Sequence, residues 1–153
     1  MNDQFEIIKI NTGKTGIIDF ALTNTAKEKL IQNGIESVKK YFTEFLPKKR
    51  QNIACIYEKI LDYTKKIKKS LEKNKIENSK IYFSDLMLFL TENKEIIHRD
   101  IYFQAIETKK EFINNLYYIK ILNIPRFCNK KTFLLNLDEF IKNTENHLKN
   151  LFY

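Results

Sequence analysis

Hydrophobic and polar positions follow two different spacings along this chain. Between residues 5 and 22, two short apolar runs, Phe5-Glu6-Ile7-Ile8-Lys9-Ile10 and Ile17-Ile18-Asp19-Phe20-Ala21-Leu22, flank a segment that holds Gly13 and Gly16. This arrangement predicts a β-hairpin or an extended arm. An isolated two-stranded hairpin is only marginally stable, so the arm is expected to pack on the rest.

From Thr25 onward the spacing is helical. Ile31, Ile35, Val38, Phe42 and Phe45 recur at every third or fourth position and therefore share one face. Asn24 or Thr25 can cap this helix, Pro47 is expected to stop it, and Gly34 to bend or break it. Ile53, Tyr57, Ile60, Thr64, Ile67 and Leu71 form a longer second seam, widened by Ile56 and Leu61. A third helix is expected from Ser84, which can cap it, to about Ile97. Asp100 can cap a fourth, which carries Ile106, Phe112, Ile113, Leu116 and Tyr117 and ends before Pro125. The last runs from about Thr132, with Leu134, Leu137, Ile141, Thr144, Leu148 and Leu151 on its apolar side. The expected fold class is mostly all-α: a compact bundle of about five amphipathic helices with a short N-terminal β-hairpin or extended segment. One domain over 1–153 is expected, with 1–23 as the arm and 24–153 as the bundle.

Composition narrows this picture. A chain of 153 residues suits one core, and Leu, Ile, Val and Phe make up about a third of it, well above the level at which chains stay disordered. The longest apolar run, Leu86-Met87-Leu88-Phe89-Leu90, is far shorter than a membrane span, so no membrane partner is expected. The N-terminus carries acid where a secretory signal carries base. Cys55 and Cys128 form no disulfide framework, which points to a reduced, cytoplasmic setting. Ile outnumbers Val 22 to 1 and Lys outnumbers Arg 24 to 3. That bias, with abundant Asn, Phe and Tyr, is the mark of an AT-rich genome. Isoleucine is therefore no β signal here, and lysine abundance alone is no proof of phosphate contact.

Charge distribution adds what composition lacks. The net charge is +8, and residues 47–80 alone carry ten Lys and Arg50 against Glu58, Asp62, Glu72 and Glu77. With the second seam turned inward, Lys59, Lys65, Lys66, Lys69 and Lys73 fall on the outer face, and Lys48, Lys49 and Arg50 at the first turn. Uniform codon drift does not concentrate charge this way. A non-enzymatic accessory protein follows, which binds an anionic surface, most simply nucleic acid or a nucleoprotein complex. Arg, Asn and Gln are not clustered as base readout requires, so contact by charge and shape is expected. The alternative is a protein–protein interaction module, such as an inhibitor, immunity protein, chaperone or assembly subunit. The same stripe would steer it to an acidic partner. Pairs such as Tyr82-Phe83 and Tyr102-Phe103 can bury only one member each, which leaves aromatic surface for either role.

Fragments of catalytic motifs lack their essential partners. Gly13-Lys14-Thr15 resembles the end of a phosphate-binding loop, but the Gly required five residues before Gly13 is Ile8. Leu134-Leu135-Asn136-Leu137-Asp138-Glu139 fits a helix better than a magnesium-binding strand. His98-Arg99-Asp100 copies the kinase catalytic triplet, yet the Asn required five residues after Asp100 is Ala105. Cys55, Cys128, His98 and His147 stand at no metal-ligand spacing, so neither metal nor cofactor is expected. Cys55 is expected to be buried, and His147 to border the core. An enzymatic reading would need a pocket gathering His98 or His147 with two acids.

Overall fold

The structure, a computed structural model, describes residues 8–13, 22–119 and 124–152 and is mostly helical, as the spacing predicts. It divides into two compact units, Met1–Arg50 and Gln51–Tyr153.

In the first unit, residues 8–12 carry no strand, and the rest of the expected hairpin lies outside the described residues. Side chains take up the local backbone groups that a ladder would use. Asn11 Oδ1 accepts from the Gly13 N–H at 2.9 Å, with Gly13 in the left-handed region at φ 62°, and Asn33 Nδ2 donates to the Asn11 carbonyl at 2.7 Å. Helix α1 spans Asn24–Lys40. Its cap is Thr23, one or two residues earlier than expected, with Oγ1 accepting from the Ala26 N–H. Gly34 lies inside the helix without breaking it, and the Ile10 side chain sits 3.9 Å from where a Cβ would be.

Pro47 does not stop the helix. A π-helical turn, Tyr41–Phe45, follows α1 and leads directly into α2, Leu46–Glu72, with Pro47 its second residue. Proline has no N–H to donate, and its ring clashes with the carbonyl four residues back. The wider π turn, in which the Leu46 N–H reaches back to the Tyr41 carbonyl, supplies the room that a regular turn lacks.

The second unit holds the rest of α2 with α3 (Ile76–Glu92), α4 (Arg99–Asn114), β1 (Leu116–Ile119), β2 (Ile124–Phe127) and α5 (Lys130–Asn150). Of the expected seam of α2, Tyr57, Ile60, Thr64, Ile67 and Leu71 are buried and Ile53 is half-buried. Thr64 satisfies its hydroxyl by donating to the Ile60 carbonyl at 2.8 Å. Helix α3 begins well before Ser84. The turn between α2 and α3 is short because Asn74 adopts positive φ and the Lys75 N–H donates to the Ser70 carbonyl. Helix α4 is capped by His98, not Asp100: His98 Nδ1 accepts from the Asp100 N–H. The helix stops at Asn114, and Leu116 and Tyr117 belong to an antiparallel ribbon, with Leu116 opposite Phe127 and Tyr118 opposite Pro125.

The core explains the last correction. Phe83, Phe112, Phe127 and Phe133 pack as a ring cluster, with centroids 4.7–6.3 Å apart. Burying Phe133, Leu137, Phe140 and Thr144 turns α5 by about one residue from the expected Leu134–Ile141 stripe. Aromatic area decides which of two overlapping stripes faces inward. Lys130 Nζ then binds the Glu72 carbonyl and Asn74 Oδ1, which places a cation at the C-terminus of α2 where the helix dipole favours it.

Candidate nucleic-acid interface

The eight basic residues singled out by sequence are all exposed, but they differ in their surroundings. Lys48, Lys49 and Arg50 belong to the first unit. The other five lie in the second, Lys59, Lys65, Lys66 and Lys69 on α2 and Lys73 in the turn just after it. Inward packing of Ile60, Leu61, Thr64 and Ile67 turns Asp62, Lys65 and Lys66 to solvent, and this is why these lysines stand outward.

Neighbouring groups then divide the five. Lys65 Nζ lies 3.2 Å from Glu145 Oε1 on α5. Lys66 Nζ lies 2.6 Å from Asp62 Oδ2 one turn earlier, and that hydrogen bond and charge hold its ammonium above the ordinary lysine range. Lys59 sits over the Phe89 ring, 5.4 Å from its centroid, and has no ion pair among the described residues. Lys69 and Lys73, one turn apart, have no ion pair among the described residues. Lys68, which sequence spacing does not set on the outer face, is half-buried and paired with Asp138 of α5. The stripe is thus narrower than its lysine count suggests, because carboxylates of α2 and α5 compensate three of the lysines in this stretch.

A second cluster was hidden from the sequence. The rings of His98 and His147 lie 4.5 Å apart, and His147 stacks on Tyr57 at 6.2 Å. The Tyr57 hydroxyl accepts from the His98 N–H at 2.9 Å. Burial raises the Tyr57 phenol above its ordinary value. Burial first, then the adjacent His98, lowers the His147 imidazole, while Asp100 acts in the opposite direction. No sequence spacing links these residues, since α2, the start of α4 and the end of α5 bring them together. The adjoining cleft of about 260 Å³ is lined by His147 and amide side chains with Asp100 as its one carboxylate, so it does not gather a histidine with two acids.

Other candidates resolve simply. Cys55 and Cys128 are both exposed, so the expected burial of Cys55 is not observed: inward Tyr57 and Ile60 turn it to solvent. Among the described residues no three His, Cys, Asp or Glu side chains converge as metal ligands. His98-Arg99-Asp100 is a helix start, and Leu134–Glu139 is helical. Among the described residues no helix is long and apolar enough to cross a membrane. Compared with known proteins, the chain matches no family model, no curated protein and no solved structure.

Proposed function

We propose that this is a non-enzymatic accessory protein that binds nucleic acid through the outer face of α2, by charge and shape. The observation that carries this reading is the pair Lys69, in the last turn of α2, and Lys73, in the turn that follows it, both exposed and without a carboxylate partner among the described residues. Lys59, likewise without an ion pair among the described residues, extends the contact toward the start of the second unit. Each ammonium that meets a phosphate displaces condensed counterions, which makes affinity fall steeply with salt. Exposed lysines along and just beyond α2 can contact a phosphate backbone without reading base edges.

The test is an anisotropy titration of the full chain against labelled duplex and single strands at roughly 50 and 200 mM salt. Supporting behaviour is measurable binding at the lower salt, little dependence on sequence, and a marked loss at the higher. Absence of binding at the lower salt overturns the reading.

A further inference from the structure

The first unit carries a surface that the nucleic-acid reading does not use. Ile31, Ile35, Val38, Phe42 and Phe45, expected to face a core, are instead 64%, 43%, 40%, 58% and 55% exposed. Their spacing of four, three, four and three residues is that of a coiled-coil seam, with Ile31, Ile35 and Val38 on α1 and Phe42 and Phe45 in the π turn. Ile10, 48% exposed beside Gly34, extends the apolar area sideways. Five large apolar side chains in one exposed row are the kind of patch that marks an interaction site.

The borders of the row name the occupant. Lys27 stands four residues before Ile31, Lys39 four after Ile35 and Lys48 three after Phe45, all exposed, while Lys40 Nζ lies 5.8 Å from the Phe45 ring centroid. Against these stand Glu28 and Glu44, both exposed, so lysine remains in excess; Glu36 is engaged by Gln32. An apolar seam with lysines along its edges is complementary to a helix with an apolar seam and acidic edges. A second copy of this helix would bring the same excess of lysine to both sides of the seam, which is repulsive. We infer that the apolar row of α1 and the π turn is a docking surface for an acidic amphipathic helix of another protein. The chain would then join a nucleic acid, held by α2, to an acidic protein partner.

The experiment uses the full chain and two designed peptides of roughly three heptads, both with Leu along one seam, one with Glu and one with Lys at the flanking positions. Binding is read by fluorescence anisotropy, and light scattering reports the state of the free chain. The expected result is roughly micromolar binding of the Glu peptide, at least about tenfold weaker binding of the Lys peptide, and loss of binding in Ile35→Glu. Because Ile35→Glu acts on the fold if the row is covered, the double variant Lys27→Glu, Lys39→Glu provides a second reading: it leaves the apolar row intact and should reverse the peptide preference. Failure of both peptides to bind overturns the inference, as does equal binding of the two. A free chain that is dimeric, and becomes monomeric in Ile35→Glu, assigns the row to a second copy and also overturns it. None of these outcomes depends on nucleic-acid binding by α2.

Discussion

His147, near the end of α5, packs its ring 4.5 Å from that of His98, the residue that caps α4. Two imidazoles in contact cannot both be charged without repulsion, and His147 is further penalised by its burial against Tyr57. The consequence is a pH dependence with a definite sign. The folded-state value of His147 lies below its unfolded value near 6.5, so the unfolded chain binds protons first on acidification. Stability linked to the neutral ring is fully present above about pH 6.5 and is lost as pH falls through the lower, folded-state value. Thermal melts from pH 8 to 5 should show Tm falling by on the order of a few degrees over the acidic part, discounted for partial exposure. His147→Phe should flatten that limb; an unchanged slope would disprove the assignment.

The hydroxyl of Tyr57 anchors the same junction by accepting from the His98 N–H at 2.9 Å. Removing it leaves the ring packing in place and deprives the first residue before α4 of its acceptor. Tyr57→Phe should cost about 1 kcal/mol in urea unfolding, the usual loss for one such bond. A neutral substitution would mean that water replaces the hydroxyl freely.

Much of the second unit was legible in the sequence, and the reasons for the exceptions are local. The α2 seam is readable because its apolar positions all lie on one side and its polar positions on the other. In α5 two overlapping apolar stripes compete, and the choice between them depends on the phenylalanine cluster contributed by α3, α4 and β2, which no local spacing encodes. Pro47 misleads because a π turn just before it accommodates its ring, and helical periodicity does not encode such a turn. On the candidate interface, outward lysines follow from periodicity, whereas the compensation of Lys65 by Glu145 is a contact between distant segments. The α1 row is the reverse case: its spacing is that of a core face, which periodicity alone reads as buried, yet its side chains are exposed.

Phe133 is fully buried, with the Phe127, Phe112 and Phe83 rings 5.1, 5.9 and 6.3 Å away. Truncation there removes the group that unites α3, α4, α5 and the ribbon. Phe133→Ala should lose about 3–5 kcal/mol in chemical denaturation, the range for large aromatic-to-alanine changes in a packed core. A loss below about 1 kcal/mol would show that the cluster repacks around the cavity.

If Pro47 is what maintains the π turn, removing its ring should let the backbone tighten. In Pro47→Ala the restored N–H can donate within the helix, and the clash with the carbonyl of Thr43 disappears. The Cα chemical shifts of Tyr41–Phe45 should move to regular α-helical values, with total helicity by circular dichroism equal or slightly higher. Retention of the π pattern would assign it to the aromatic pair Tyr41 and Phe42, whose rings meet edge-on at 5.2 Å.

Intramolecular pairing should also set which lysines matter for nucleic acid. Lys65 already has Glu145 at 3.2 Å, so a phosphate must compete with a carboxylate for it, whereas Lys69 and Lys73 offer their charge directly. Lys69→Ala with Lys73→Ala should therefore weaken binding across all sequences and flatten the dependence of log K on log salt by about two phosphate contacts. Lys65→Ala should change both far less. The complementary variant separates this from a general charge effect: Glu145→Gln releases Lys65 and adds one unit of positive charge to the surface, so it should raise affinity and steepen the slope by about one contact. If Glu145→Gln leaves the slope unchanged, Lys65 does not face the nucleic acid, and the contact is confined to the outer line of Lys59, Lys69 and Lys73.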